Sequence, residues 1–291
     1  MILGRFLVLS TVCLAASQAS GTLTVADLVA QLGVSATGLS PEALARRTTS
    51  GNSLTQDGTQ VIATYDYGAG DTLKPPLYVL LREPGRPWRE AQLVHPGAPP
   101  ATFGSITRLH LTASWILASG HLGPSAGEVV VIRRADLTLQ TVLDGWVETV
   151  LPGEIVVLER NMVHFAPGHP GQLATFDPRT GRTSQLYPPV FAQMDSPGSQ
   201  GSGHRAAFIE RLKPIMKAWE ATGDTNPLGF EPEWFDATYG EYVYNAASDT
   251  LQFNVTLAAD RHPPALSPPL RDVYQVRCAP MRAAARACTE R

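Results

Sequence analysis

Gln172-Leu173-Ala174-Thr175-Phe176-Asp177-Pro178-Arg179-Thr180-Gly181-Arg182-Thr183-Ser184-Gln185-Leu186-Tyr187 is the stretch that decides the fold. Two runs with β-branched and aromatic residues flank a five-residue turn, Asp177 to Gly181. Proline in that turn pre-sets φ, aspartate offers a side-chain acceptor, and glycine supplies a left-handed residue. The stretch predicts an antiparallel β-hairpin.

Working outward, three more hairpins show the same chemistry. Leu77 to Val94 turns at Glu83-Pro84-Gly85, Glu128 to Leu143 turns near Asp136, and Asp272 to Cys288 turns near Pro280. A strand-like run precedes each of the four: Val61 to Tyr67, Ser114 to Ser119, Met162 to Ala166 and Leu251 to Ala258. Ile106 to Leu111, Trp146 to Leu151 and Phe235 to Tyr244 offer a fourth strand to three of these units. Units of three or four antiparallel strands recurring at roughly 45–55 residues suggest propeller blades.

On these repeats, and on the strand-Asp-x-x-Thr-Gly-strand pattern around Asp177 to Gly181, the chain resembles bacterial secreted β-propeller proteins between Val61 and Cys288. The resemblance implies an all-β fold, a small propeller of four or five antiparallel blades. No blade carries a Trp-Asp dipeptide or a kelch pattern. A β-sandwich built from the same hairpins is the alternative.

Helices are expected in two places. Thr24 caps Val25 to Leu32, and Ser40 with Pro41 opens a second short helix ending at Arg46-Arg47. Thr48 to Gly58 reads as a polar, turn-rich linker, so residues 20–58 form a short helical N-terminal segment and 59–291 the propeller-like domain. Within that domain a helical insertion is expected at about residues 191–230. It follows the flexible stretch Ser196 to Gly203 and sets Phe208, Leu212, Ile215, Met216 and Trp219 at helical spacing. Pro214 should kink or split the helix. An arm from Arg205 to Thr222 would pack on the sheet assembly, or serve as a lid or as the docking arm of an envelope-assembly subunit.

Residues 1–19 read as a signal peptide. Arg5 is the positive start, Phe6 to Ala16 the apolar core, and Ser17-Gln18-Ala19 the cleavage site. Cys13 raises the lipoprotein alternative, but Ser10-Thr11-Val12 lacks the preferred preceding residues. The apolar run is too short to span a bilayer, which needs about 20 residues, so no transmembrane anchor is expected and the protein should be periplasmic or extracellular. Without Arg5, 22 basic residues face 26 acidic ones. This balance argues against nucleic acid as a partner. An exported chain with Cys278 and Cys288 left over predicts a disulfide; a two-ligand metal site is the alternative.

The chemistry-bearing pattern is positional. A histidine sits in the segment before the hairpin in three units: His121 in Ser119-Gly120-His121, His169 in Pro167-Gly168-His169, and His262 in Asp260-Arg261-His262. Asp71 holds the comparable place in the first. Loops of one propeller face could bring them together as a ligand site, and three imidazoles with a carboxylate suit a divalent metal. The bland reading is that each histidine serves its own loop; His164, among apolar neighbours, reads as core. Gly123-Pro124-Ser125-Ala126-Gly127 matches the nucleophile-elbow pattern, but a strand follows where a helix is required. Glu231-Pro232-Glu233-Trp234-Phe235-Asp236 has the composition of a glycosidase or carbohydrate site and equally that of a solvated loop edge. Asn254-Val255-Thr256 is a glycosylation sequon within an expected strand. No phosphate loop, dinucleotide fingerprint, zinc-protease helix or calcium loop occurs.

These readings point to an exported non-enzymatic binding or scaffold protein. It would present a loop face to a small molecule, a glycan or an envelope protein, with no cofactor expected. The alternative is an extracytoplasmic metal-dependent hydrolase using His121, His169, His262 and Asp71.

Overall fold

The computed structural model describes residues 47–48, 53–66, 76–97, 103–123, 126–160, 172–187, 203–221, 236–259, 270–282 and 287–291. These residues form an all-β fold of four antiparallel sheets, and in the second, third and fourth the strands follow one another in chain order. The first sheet holds β1 (Arg47–Thr48), β2 (Ser53–Gln56), β3 (Thr59–Asp66), β4 (Leu77–Arg82) and β5 (Arg89–Leu93), with β1 and β2 both pairing β3. The second holds β6 (Ser105–Leu111), β7 (Trp115–Gly123), β8 (Ala126–Arg133) and β9 (Leu139–Asp144). The third comprises β10 (Trp146–Leu151), β11 (Ile155–Arg160), β12 (Gln172–Asp177) and β13 (Arg182–Tyr187). The fourth comprises β14 (Asp236–Asn245), β15 (Thr250–Ala259), β16 (Leu270–Ala279) and β17 (Ala287–Glu290).

The sheets stack in sequence order through three cores. Val61, Ala63 and Leu81 of the first sheet meet Ile116, Val130 and Ile132 of the second. Leu117, Val129 and Val131 on the second sheet's other face meet Val147, Val156 and Phe176 of the third. Val157 and Leu173 of the third meet Phe253, Val255 and Val276 of the fourth. β8 is therefore apolar on both faces, and Val129 to Ile132 are all fully buried. Such a strand reads as a continuous apolar run instead of an alternation. β15 alternates cleanly, burying Leu251, Phe253, Val255 and Leu257 while Gln252, Asn254 and Thr256 are half-buried. Its sheet places one face in a core and leaves Val243 and Val273 exposed on its strands.

Three expectations are corrected. Thr48 to Gly58 is not a linker: β2 pairs β3 from Ser53↔Ile62 to Gln56↔Thr59 around Asp57-Gly58, both at positive φ. This is the Asp-Gly hairpin signal, and it carries the first sheet's chain back before residue 59. The strand that pairs with β12 ahead of the third hairpin is β11, and Met162 to Ala166, expected as a strand there, lie outside the described residues. The helix α1 (Gly203–Glu220) is continuous through Pro214. Pro214 and Glu210, the residue four before it, are both exposed, so the carbonyl left without a donor can bond water.

Phe208 and Leu212 of α1 are buried in the core of the third and fourth sheets. Arg211 bonds both carboxylate oxygens of Asp272 at 2.7 Å, and His204 stacks on Tyr274 with centroids 4.7 Å apart. The expected disulfide is present, Cys278 to Cys288, holding β17 to β16 where the two residues pair directly. No helix among the described residues is long and apolar enough to cross a membrane. The signal-peptide and N-terminal helix positions up to Arg46 lie outside the described residues, and Arg47, expected to end the second helix, stands in β1.

Candidate functional site

The first strands of three sheets each carry a β-bulge. In β6 the register slips between Ile106 and Arg108, in β10 between Val147 and Thr149, and in β14 between Gly240 and Val243. Bulges bend a strand and re-aim side chains, and they concentrate next to sites. Thr107 and Glu148 are left unpaired, Glu241 and Tyr242 together oppose Phe253, and Glu241 takes a positive φ of 54°.

These irregularities bring polar groups together. Tyr242 Oη donates to Glu148 Oε2 at 3.0 Å, from the fourth sheet to the third. Arg108 pairs with Ser119, whose buried hydroxyl accepts a bond from the Val147 backbone N–H at 3.4 Å. Val147 immediately precedes Glu148, and the charge of the second sheet's Arg108 acts on that carboxyl. Two residues along β6 on the same face, His110 pairs with Leu117, and its Nε2 is buried without a hydrogen-bond partner among the described residues.

Burial pushes the Glu148 carboxyl above its ordinary range, with the Tyr242 hydroxyl and the Arg108 charge drawing it partly back. Burial and the Arg108 charge depress the His110 imidazole to about 4, so it is neutral at physiological pH. Tyr242 is raised by burial and by Glu148, and stays a protonated donor. Arg108 is exposed and makes no ion pair at contact distance among the described residues. The cluster thus combines one open cation, one carboxylate whose charge is disfavoured, and two neutral groups that donate and accept.

His121 was expected in a loop; it lies within β7, paired with Ser105 and Gly127. Its exposed ring meets the Trp146 ring edge-on at 4.2 Å, and Trp146 covers Gly127 so closely that an added Cβ would lie 2.3 Å from the indole nitrogen. His121 is on the same face of β7 as Ser119, two residues further along. His169, His262 and Asp71 lie outside the described residues. Among the described residues, no group of three histidine, cysteine, aspartate or glutamate side chains is placed to hold a metal ion. Gly123 at the end of β7 pairs with Ala126 at the start of β8, so the Gly123–Gly127 motif is followed by a strand and not by the helix of a nucleophile elbow. In the acidic-aromatic segment only Asp236 is described, as the first residue of β14.

A second polar cluster is closed. Glu128, 2 % exposed, accepts from the Gly104 backbone N–H at 3.0 Å and faces His95 Nε2 at 3.2 Å. His95 Nδ1 accepts from the Gly97 N–H at 3.0 Å, so the ring proton sits on Nε2 and points at Glu128. Both ring nitrogens are engaged, and the cluster ties the first sheet's exit to the second sheet.

Arg108, His110, Glu148 and Tyr242 were not singled out by the sequence. The available signal was a charged residue inside an apolar strand, as in Trp146-Val147-Glu148-Thr149-Val150. Compared with models of known protein families and with curated proteins, the sequence has no significant match.

Proposed function

We propose that the protein is an exported, non-enzymatic binding protein, its four sheets the blades of a small propeller. In this reading a small polar ligand is taken where the first strands converge. Support for the propeller comes from four consecutive meanders stacked face to face. Successive sheets neighbour one another in chain order, β2 beside β6, β10 beside β7 and β8, and β10 beside β14. Support for export comes from the Cys278–Cys288 disulfide, which persists in oxidising compartments.

The observation that carries binding is the Tyr242–Glu148 hydrogen bond between two bulged first strands, a buried carboxylate on which the charge of Arg108 also acts. A fold built only to be stable has no need to hold a carboxylate with a raised pKa beside an open guanidinium and an unpartnered imidazole nitrogen. Such groups become satisfied when a ligand supplies their partners. The test is a thermal-shift screen of the mature protein against sugars, amino acids and small organic acids, beside the double variant Arg108→Met, Tyr242→Phe. At least one class should raise the melting temperature of the wild type and leave the double variant unmoved. Equal shifts in both proteins, or none in either, would overturn the reading.

A further inference from the structure

The first three sheets are buried on both faces at their centres. Ile62 and Leu80 of the first, on the face turned from the second sheet, are as buried as Val61 and Leu81. The fourth sheet differs, because β15 and β16 alternate and turn one face outward. Register sets the outward residues in rows across β14, β15 and β16. Thr238, Thr256 and Val273 form one row, and Val243, Gln252 and Arg277 another.

Val243 is 59 % and Val273 53 % exposed, two of the three large apolar side chains that stand so open among the described residues. Around them the middle of the face carries hydroxyls and amides and no charge. The charges stand to the sides. On β14, the exposed Glu241 accepts a hydrogen bond from Asn254 Nδ2. On β16, Arg271 and Arg277 make no ion pair at contact distance among the described residues. An uncharged middle with a charged rim is the make-up of an interface.

The extent of the face bounds what can cover it. Three strands of 10 residues each, about 4.8 Å apart and rising about 3.4 Å per residue, span about 500 Å². Two such faces together bury about 1,000 Å², the lower limit of a specific interface. Association at that size is weak unless the two surfaces match.

A second copy of the chain matches by symmetry. In a face-to-face pair the two-fold axis runs between the sheets, either across the strands or along them. Across them, β16 lies on β16 and Arg277 meets Arg271. Along them, β14 of each copy lies over β16 of the other at the same level. Glu241, next to the Val243 row, then faces Arg277, and Thr238 faces Val273. Charge therefore favours the second orientation.

We infer that the outward face of the fourth sheet is the interface of a homodimer, its strands aligned with the two-fold axis and Glu241 of each copy set against Arg277 of the other. The stack of sheets continues through the second copy, and the pairing needs no ligand.

Sedimentation velocity of the mature protein across the micromolar range, at low and high salt, reads the association. Wild type should pass from monomer to dimer as concentration rises, and salt should weaken the dimer. Val273→Lys should weaken it at least about tenfold. Glu241→Arg and Arg277→Glu should each be monomeric alone, since each sets like charges face to face. An equimolar mixture of these two single variants should dimerise again, because every facing pair is then opposite in charge. Near-ultraviolet circular dichroism establishes that each variant is folded. Val273→Lys, at a side chain more than half exposed, keeps the test decisive should a charge variant fail to fold. A wild type that stays monomeric throughout overturns the inference. A dimer that survives Val273→Lys and both charge variants lies on another surface and overturns it too. Loss in the single variants without recovery in their mixture overturns the facing of Glu241 on Arg277.

Discussion

Tyr242 reaches across from the fourth sheet to give its phenolic proton to Glu148 of the third, and both residues sit in register slips of their own strands. Regular pairing would fix each side chain by the pleat. The two bulges free them from it, and the hydrogen bond fixes them again across the sheet boundary. Its cost is a carboxylate held where water is scarce.

That cost is measurable. A carboxyl with a raised folded pKa contributes stability that is fully present below its unfolded value, near 4.5, and lost as pH rises through the folded value. Glu148→Gln keeps the shape and an acceptor for Tyr242, and removes the charge. The variant should melt above wild type at neutral pH, with the gap closing as pH falls below about 4.5. Tyr242→Phe should do the opposite, costing about 1–3 kcal/mol for a lost bond to a charged acceptor. Melting curves across pH for the three proteins check both. A Glu148→Gln variant that is less stable than wild type at neutral pH would show that Arg108 and Tyr242 outweigh burial.

His110 carries the opposite dependence. Its imidazole is depressed from 6.5 to about 4. The unfolded chain therefore binds the proton more readily, and stability is lost as pH falls from about 6.5 towards 4. At pH 5 this single group should cost about 2 kcal/mol relative to neutral pH. Urea midpoints of wild type and His110→Leu at pH 7 and pH 5 isolate it. The wild type should lose more than the variant by roughly that amount.

Much of the fold was legible because turns are local. Asp177 to Gly181 shows in the structure the turn bonds that its residues imply, Gly181 N–H to the Asp177 backbone carbonyl at 2.8 Å and Arg179 N–H to the Asp177 side-chain Oδ1 at 3.0 Å. The Cys278–Cys288 pair was equally local. β11 was missed because Ile155 to Leu158 does not alternate: Val157 faces one core while Val156 and Leu158 face another. A run buried on both sides carries no period-two signal. The site was illegible for a different reason. Glu148 and Tyr242 meet where two strands slip register, and a one-residue slip is invisible in a string of residue types. His121 was legible as unusual, but not that its neighbour would be the Trp146 ring.

Glycine at two positions is a matter of space. An added Cβ at Gly127 would lie 2.3–2.6 Å from the Trp146 ring and the Gly145 carbonyl oxygen. At Gly145, φ is +120° and the Glu159 carbonyl oxygen would lie 2.1 Å away. Backbone cannot retreat as a flexible side chain does, so Gly145→Ala should be the worse of the two. Gly127→Ala should cost about 1–3 kcal/mol by overpacking and displace Trp146, visible as a change in tryptophan fluorescence. Gly203→Ala, where nothing lies within 4 Å, should leave stability within about 0.5 kcal/mol of wild type.

Reducing the disulfide should loosen the fourth sheet from its outer edge. The bond closes a loop with a sequence separation of 10, and the chain-entropy model assigns such a closure about 3 kcal/mol. Cys288→Ser also leaves Cys278, fully buried, without its partner. Hydrogen exchange should quicken at β17 first and at β16 next, while the second sheet is unchanged. Uniform acceleration across all four sheets would mean that they unfold as one unit.

Glu83 and Arg134 join the first two sheets at the turn ends, away from the candidate site. Arg134 donates through Nε to Glu83 at 3.0 Å, and its two other nitrogens reach the Thr112 carbonyl at 3.0 Å and the Thr59 hydroxyl at 3.2 Å. Burial raises the Glu83 carboxyl, but the Arg134 hydrogen bond and the charges of Arg134, Arg86 and Arg89 outweigh it and hold the group below its ordinary range. A lowered carboxyl contributes stability that is present above its unfolded value, near 4.5, and lost as pH falls through the folded one. Glu83→Gln should therefore destabilise by about 1–3 kcal/mol at neutral pH and by less in acid. Arg134→Met should cost at least as much, since it also strips Thr112 and Thr59 of a donor. A double-mutant cycle should return a coupling of about 0.5–3 kcal/mol. The ligand-induced thermal shift should be unchanged in Glu83→Gln, because the lock positions the turns and not the bulged strands. Coupling near zero would reduce the ion pair to a surface contact, and the packing of Val61, Ala63 and Leu81 on Ile116, Val130 and Ile132 would then hold the two sheets together without it.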